Sequence, residues 1–146
     1  MTFEEINSHN LYALTKLMLA LWPDCSLKEE YENCQRILTT VDETCFLAKE
    51  DEMYIAFIQL SVRKEYVEGA NSSPVAFVEG IYVNEQFRKH GLGQQLIELG
   101  CGWGKSMGCN QIGSDAELDN QPSISFHKKS GFQEMNRVVC FLKDLR

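Results

Sequence analysis

The sequence predicts a mixed α/β fold in which a mostly antiparallel central sheet carries helices on both faces. Two helical patterns open the chain, three strand-like segments follow in succession, and alternating helices and strands complete it. Neighbouring strands with short turns pair antiparallel, whereas a strand–helix–strand crossover adds a parallel strand. The 146 residues suit one domain, 1–146, around one core.

The first two elements are predicted to be helices. Leucine and methionine recur at helical spacing between residues 11 and 21. Pro23 ends this pattern because proline disfavours helical backbone in the residue before it. Ser26 is expected to cap a second helix that reaches about Leu38, since Glu29 stands three residues later, as in a capping box.

Three long strands are predicted next. Residues 44–49 and 54–63 are rich in β-branched and aromatic residues, and the acidic segment 50–52 separates them. This pattern is typical of an antiparallel hairpin. After a polar loop, residues 74–83 form the third strand, which ends in the sequence VEGIYV.

The second half is predicted to alternate between helices and strands. Apolar residues at helical spacing mark a helix over about 92–107, and residues 111–115 read as a short strand. A helix over 120–130 and a closing strand, NRVVCFLKDL at 136–145, complete the chain.

Composition excludes several functional classes. The six cysteines form no C-x-x-C pair and accompany no histidine cluster, which argues against disulfides and a metal site and favours a reducing cytoplasm. The net charge of −7 argues against nucleic-acid and anionic-membrane partners and is compatible with a cationic substrate. We expect no signal peptide and no membrane span, because no apolar run approaches about 20 residues.

The segment IYVNEQFRKHGLGQQLIELG, residues 81–100, predicts an anion site. An apolar strand leads into a turn that contains Gly91 and Gly93, and a helix follows. The first N–H groups of a helix lack internal partners and lie at the positive end of the helix dipole, which suits a pyrophosphate. The turn matches neither the P-loop nor the dinucleotide-binding motif, and a glycine-rich turn without a ligand is the alternative.

Residues 88–93, RKHGLG, match R-x-x-G-x-G and resemble the acetyl-coenzyme A signature of the GCN5-related N-acetyltransferase (GNAT) family. Asn120 and the later segment 130–132, SGF, resemble that family's downstream N…G-F pattern. The resemblance extends over the whole chain and its element order. It implies a GNAT fold with a β-bulge splay at the site of acetyl-CoA, the co-substrate.

The family resemblance also assigns cofactor contacts. The strand before the turn would pair with the pantetheine arm, the turn would hold the pyrophosphate, and the next helix would contact the arm. The implied residues are Ile81, Tyr82, Val83, Arg88, Lys89, His90, Gly91, Leu92, Gly93, Gln94 and Asn120.

Within the family, EYVEGANSSPVAFVEGIYV and SDAELDN are similar to the short aminoglycoside 6'-N-acetyltransferases, which are antibiotic-resistance enzymes. This resemblance implies an aminoglycoside substrate and a homodimer with the C-terminal strand near its interface. The implied substrate-binding residues are Trp22, Tyr66, Glu79, Asp115 and Asn136, the last standing where relatives carry an acid.

Glu79 and Asp115 are also candidates from their own chemistry. A carboxylate at position 79 interrupts an apolar strand and is costly to bury, and the adjacent Gly80 favours a β-bulge that would re-aim it. An edge-strand charge that faces water is the alternative for Glu79. Asp115 alone is compatible with an ordinary strand end, and Trp22 and Tyr66 with structural aromatics.

The implied reaction is direct attack of a substrate amine on the thioester, with Asp115 or Glu79 as general base and a strand N–H near the bulge as oxyanion donor. Many relatives place a tyrosine acid where this chain has His127. Protonated His127 could serve, or the thiolate could leave unassisted, with His127 as packing. We favour the latter. Other hypotheses are acetylation of a polyamine or protein amine, and a non-catalytic acyl-CoA sensor.

Overall fold

The fold is a five-stranded sheet with helices on both faces, as predicted. The computed structural model describes residues 1–146. Its elements in chain order are β1 (Thr2–Glu5), α1 (Leu11–Leu21), α2 (Leu27–Leu38), β2 (Glu43–Glu50), β3 (Met53–Arg63), β4 (Val75–Val83), a short 3-10 turn (Glu85–Phe87), α3 (Leu92–Ser106), β5 (Ile112–Gly113) and α4 (Gln121–Lys129). The strand order is β1-β2-β3-β4-β5, and only the β4–β5 pair is parallel.

Two apolar clusters lie on opposite faces of this sheet. Because side chains alternate along a strand, Phe57 of β3 joins Leu14 and Met18 of α1 on one face. Its neighbour Ile58 joins Leu96 of α3 on the other face. Both faces of the sheet are therefore buried, and the central strand β3 contributes side chains to both clusters.

The local signals in the first half form the structures they predict. The N–H of Glu29 donates to the Ser26 hydroxyl over 3.1 Å, which caps α2. β2 and β3 form an antiparallel hairpin, and its two turn residues, Asp51 and Glu52, adopt positive φ angles of 46° and 67°. Such paired left-handed residues match the right-handed twist of hairpin strands.

Close packing explains two glycines inside α3. A Cβ on Gly104 would lie 2.8 Å from the Cβ of Ala76, and one on Gly100 would lie 3.0 Å from Leu60 Cδ2. Carbon atoms normally pack at about 3.5–4.0 Å, so these glycines let α3 approach the sheet. Gly102 has no such neighbour within 4 Å, and nothing in the structure explains it.

The two ends of the chain differ from the prediction. Residues Thr2–Glu5, which we did not assign, form an edge strand on β2. The predicted closing strand at 136–145 is not formed, and Phe141 and Leu142 are 91% and 95% exposed. A strand requires a neighbour to pair with, and this segment pairs with no strand of its own chain. None of the helices is both long and apolar enough to cross a membrane.

Candidate active site

The predicted β-bulge lies in the middle of β4. Gln59 pairs with Gly80 and Leu60 pairs with Val78, so Glu79 is the extra residue that has no partner on β3. The absence of a side chain at Gly80 is required here, because a Cβ would lie 2.5 Å from the ring of Trp22. The bulge therefore turns the Glu79 side chain out of the regular pleat and brings the Trp22 ring against the strand.

Glu79 is held by two residues of β3. The Ser61 hydroxyl donates to Glu79 Oε2 over 2.5 Å, and Arg63 donates from Nε to Oε2 over 3.0 Å and from Nη2 to Oε1 over 2.8 Å. The Arg63 guanidinium also stacks 3.5 Å from the centre of the Phe77 ring. A carboxylate has about four acceptor positions. These contacts therefore leave one open, on Oε1.

The sheet opens beside the bulge. β4 pairs with β5 only at Ala76–Ile112 and Phe77–Gly113, whereas its other side stays paired with β3 as far as Val83. The edge of β4 beyond Phe77 therefore faces no strand and presents backbone groups that no neighbouring strand uses. The structure thus has the splay that we expected next to the turn at residues 88–93, called the cofactor turn below.

Asp115 follows this opening. It lies two residues beyond the last β4–β5 pair, and a continued register would place it beside Glu79. Its side chain is exposed and has no hydrogen-bond partner in the protein. The two carboxylates therefore differ in a property that matters for proton transfer. The Asp115 carboxylate has no protein partner, whereas Ser61 and Arg63 hold the Glu79 carboxylate by hydrogen bonds.

Tyr66 and Asn136 meet through a residue that we did not single out. The Tyr66 hydroxyl donates to Glu68 Oε2 over 2.8 Å, and the Asn136 amide donates to Glu68 Oε1. Asn136 and then Tyr66 lower the pKa of the Glu68 carboxyl. The ring of Tyr66 is 78% exposed, in the loop that follows β3. Trp22 packs separately, edge-on to Phe57 at 6.2 Å between ring centres.

The turn before α3 carries free backbone donors, as its sequence predicts. Lys89 and Gly91 adopt positive φ angles of 66° and 83°, and the first helical hydrogen bond is donated by Gln95 to the Gly91 carbonyl over 3.1 Å. The six N–H groups of residues 89–94 donate to no acceptor in the protein. Such consecutive amides at a helix N-terminus form an anion-binding concavity.

Arg88 takes a different position from the one its charge suggests. Its Nε donates to the Val83 carbonyl over 2.7 Å, and its guanidinium lies 5.6 Å from the centre of the Tyr82 ring. Arg88 therefore ties the turn to the end of β4, with its remaining guanidinium N–H groups available beside the turn.

Helix α4 packs beside this turn. Asn120 caps the helix by accepting the Ser123 N–H over 3.2 Å, which leaves its amide N–H groups available. The Phe126 ring covers Gly93, where a Cβ would lie 2.7 Å from the ring. The same helix carries His127, whose ring lies between Phe126 and Phe132.

The sequence pattern singled out Glu79, Asp115 and the turn as candidates, but it missed the side chains that hold Glu79. Ser61 and Arg63 lie two residues apart on β3, and alternation alone indicates that they share a face. Their contact with Glu79 depends on the register across the bulge, which no local signal fixes. The structure also places Ser114 against His127, a contact that bridges β5 and α4.

Comparison with known proteins assigns the fold to a family. The model of the acetyltransferase (GNAT) family matches residues 8–132. The aminoglycoside N(6')-acetyltransferase type 1 of Serratia marcescens is 39% identical over 137 residues, covering 93% of this chain and 94% of that protein. The enzyme of the same name from Acinetobacter baumannii is 36% identical over 146 residues, with 99% of each chain covered.

Solved structures agree with this assignment over the full length. Aminoglycoside N-acetyltransferase AAC(6')-Iy in complex with CoA superposes with a TM-score of 0.96 at 33% identity, covering 99% of this chain and 95% of that one. The 6'-N-acetyltransferase AAC(6')-Ih from Acinetobacter baumannii superposes with a TM-score of 0.93 at 35% identity, covering 99% of both chains. The chain therefore belongs to the acetyltransferase (GNAT) family.

Proposed function

We propose that this protein is an acetyl-CoA-dependent aminoglycoside 6'-N-acetyltransferase that confers antibiotic resistance in the cytoplasm. The observation that carries the proposal is one arrangement: free amides at the start of α3 lie next to the open edge of β4, where Glu79 and Asp115 flank the splay. The names and coverage of the relatives support the same reaction and the same class of substrate.

The residues present fit acetyl-CoA, which would supply the activated acetyl group. The six N–H groups of residues 89–94 suit a pyrophosphate. The edge of β4 at 81–83, where only the Val83 carbonyl already accepts a bond from Arg88, offers backbone groups to an extended, amide-containing arm. Lys89 and the free side of Arg88 add positive charge at the turn, where His90 lies between Lys89 and Gly91, and the Asn120 amide can donate to the arm.

Two carboxylates would hold and activate the cationic acceptor. Glu79 is oriented by Ser61 and Arg63, and its open Oε1 position can accept one hydrogen bond from an ammonium or hydroxyl group. Asp115 has no partner in the protein, so it is the carboxylate that can accept a proton. We therefore assign Asp115 as general base and Glu79 as the substrate anchor.

The reaction then proceeds by direct transfer. The substrate ammonium would first lose a proton to Asp115. The resulting amine would attack the thioester carbonyl carbon, and the carbon–sulfur bond would break as coenzyme A leaves as a thiolate. The acetylated nitrogen would release its second proton to solvent, from which the thiolate can be protonated. A backbone N–H of β4 near Glu79, free of β5, stabilises the oxyanion. Trp22, Tyr66 and Asn136 would form the walls that receive the sugar rings, because aromatic faces pack against sugars and cations.

We also propose a homodimer that covers the C-terminal segment, residues 133–146. This segment forms no strand in its own chain, yet it exposes Val139, Phe141, Leu142 and Leu145 by 70–95%. Exposed apolar area of this kind typically marks an interface. Light scattering at micromolar concentration should give twice the chain mass; a monomer would refute this part of the proposal.

The test is release of coenzyme A over a panel of amines. Kanamycin and tobramycin should give rapid thiol release, whereas spermidine and a lysine peptide should not; the reverse order would refute the aminoglycoside assignment. Asp115→Asn should lower kcat by about 10²–10⁴-fold, the contribution typical of a general base. Its affinity for coenzyme A should stay unchanged, and Asp119→Asn, a nearby matched charge change, should leave both values close to wild type.

A further inference from the structure

We propose that His127 is a positioning residue for Asp115, which acts through the Ser114 hydroxyl and donates no proton in the reaction. The kinetic consequences of this inference rest on the proposed function. The observation that carries it is a chain of contacts that runs from α4 to the residue next to Asp115.

The contacts of His127 determine which ring nitrogen carries the proton. Nδ1 lies 2.7 Å from the Ser123 carbonyl oxygen, which can only accept a hydrogen bond, and 3.4 Å from Ser123 Oγ, which is beyond the usual hydrogen-bond length. Nδ1 is therefore the protonated nitrogen of the neutral ring. Nε2 lies 2.7 Å from Ser114 Oγ, so it accepts the hydroxyl proton of Ser114. Both nitrogens of the neutral ring are thus committed to groups of the protein.

The contact of Ser114 with His127 replaces the backbone hydrogen bonds that a longer β5 would have made with β4. β5 ends at Gly113, and neither Ser114 nor Asp115 has a backbone hydrogen bond to another element. The bond from Ser114 to His127 is the hydrogen bond that ties this segment to α4. Because Asp115 is the next residue, its carboxylate is positioned by a side-chain bond where a strand pair would normally fix the backbone.

The ring of His127 is itself fixed by its neighbours. Phe126 and Phe132 contact it edge-on, with ring centres 5.7 Å and 5.3 Å away. Phe126 also packs on Gly93 at the start of α3. One helix therefore contacts the cofactor turn through Phe126 and the segment that holds Asp115 through His127, so the acceptor carboxylate and the thioester site share one support.

This arrangement separates positioning from acid catalysis. A general acid must direct a proton at the departing thiolate. The proton of neutral His127 points instead at the Ser123 carbonyl, inside its own helix. A positioning role requires only an acceptor at the place of Nε2, and a side chain that cannot ionise could supply it.

The kinetic test uses four variants of the full-length protein. Ser114→Ala and His127→Asn remove the link, and each should lower kcat/KM for the aminoglycoside by about tenfold, since small misplacements of a catalytic group cost at least that much. The KM for acetyl-CoA should change by less than about twofold. His127→Gln keeps an amide oxygen near the place of Nε2 and should recover most of the activity. Ser125→Ala changes an exposed serine of the same helix that makes no hydrogen bond with His127, and it is the matched control.

The pH–rate profile distinguishes the two roles. Gln cannot transfer a proton, so under acid catalysis His127→Gln would be as impaired as His127→Asn and would lose one limb of the profile. That result would overturn the proposal. The four variants should unfold at the same midpoint temperature. A positioning role requires that kcat/KM for the aminoglycoside recover in His127→Gln but not in His127→Asn.

A second readout is independent of the reaction. In ¹⁵N NMR of the full-length protein above neutral pH, the ring signals absent from His127→Gln should show the tautomer protonated at Nδ1. The tautomer protonated at Nε2 would overturn the inference. If wild type acetylates no aminoglycoside, the proposed function fails, and the same variants are then compared on whichever amine the protein accepts.

Discussion

Replacing Gly93 by alanine should weaken acetyl-CoA binding through a defined steric conflict. An alanine Cβ at this position would lie 2.7 Å from Cε1 and 3.0 Å from Cζ of Phe126. Carbon atoms in contact prefer about 3.5–4.0 Å, so the ring must move by roughly 1 Å. The ring belongs to α4, and its displacement would shift that helix away from the turn whose amides should bind the pyrophosphate.

The expected size follows from two opposing terms. Overpacking of this kind costs about 1–3 kcal/mol, whereas alanine in a helix gains up to about 1 kcal/mol over glycine. The free energy of unfolding should therefore fall by about 0–3 kcal/mol. If a comparable 1–2 kcal/mol is lost from the bound state, the dissociation constant of coenzyme A should rise about 5–30-fold.

Calorimetric titration with coenzyme A, together with the KM for acetyl-CoA, measures this change. Gly102→Ala is the matched control, because it lies in the same helix and a Cβ there meets nothing within 4 Å. It should leave binding unchanged and stabilise the fold slightly. Adding Phe126→Leu to Gly93→Ala should restore affinity. Equal affinities of the two alanine variants for coenzyme A would refute the packing explanation.

Three further predictions follow from contacts outside the turn. Arg63→Gln releases Glu79 from its clamp and should raise the aminoglycoside KM about fivefold without changing the KM for acetyl-CoA, as initial rates will show. The hydrogen bond from the Tyr54 hydroxyl is the main cause of the lowered pKa of Glu4. The ionised Glu4 therefore stabilises the fold above the ordinary carboxyl pKa, and this stabilisation is lost as the pH falls through the folded-state pKa. In Tyr54→Phe, the free energy of unfolding measured in urea should therefore decrease less steeply between roughly pH 5 and pH 3 than in wild type. An equal pH dependence in the two proteins would contradict this. Phe141→Asp should convert the proposed dimer to a monomer by light scattering, whereas a persistent dimer would place the interface elsewhere.

The geometry of the turn before α3 could be predicted because its information is mostly local. Gly91 adopts a left-handed backbone, which favours glycine, and this requirement is visible within the six residues of the turn. The need for space at Gly93 is not local, because Phe126 of α4 sets it. The bulge at Glu79, in contrast, was indicated by an acidic residue and a glycine inside an apolar strand. At Gly91 and at the bulge, a short stretch of chain contains both the constraint and the residue that satisfies it.

The parts that sequence could not supply depend on distant pairing. Arg63 and Glu79 are 16 residues apart in the chain, and they meet only because the register between β3 and β4 shifts at the bulge. The four-residue strand Thr2–Glu5 pairs with β2, more than 40 residues away, and its own pattern is too short to distinguish it from a loop. The segment 136–145 contains the continuous apolar run VVCFL, which is typical of a buried strand, but it pairs with no strand of its own chain. Pattern alone cannot say whether a partner supplies one.

A crystal structure with coenzyme A and kanamycin is the measurement that tests the central claim most directly. The pyrophosphate should accept hydrogen bonds from the amides of residues 89–94. The 6'-amine should lie between Glu79 Oε1 and the Asp115 carboxylate, within reach of the sulfur. A pyrophosphate bound away from this turn, or an aminoglycoside that contacts neither carboxylate, would contradict the proposed reaction.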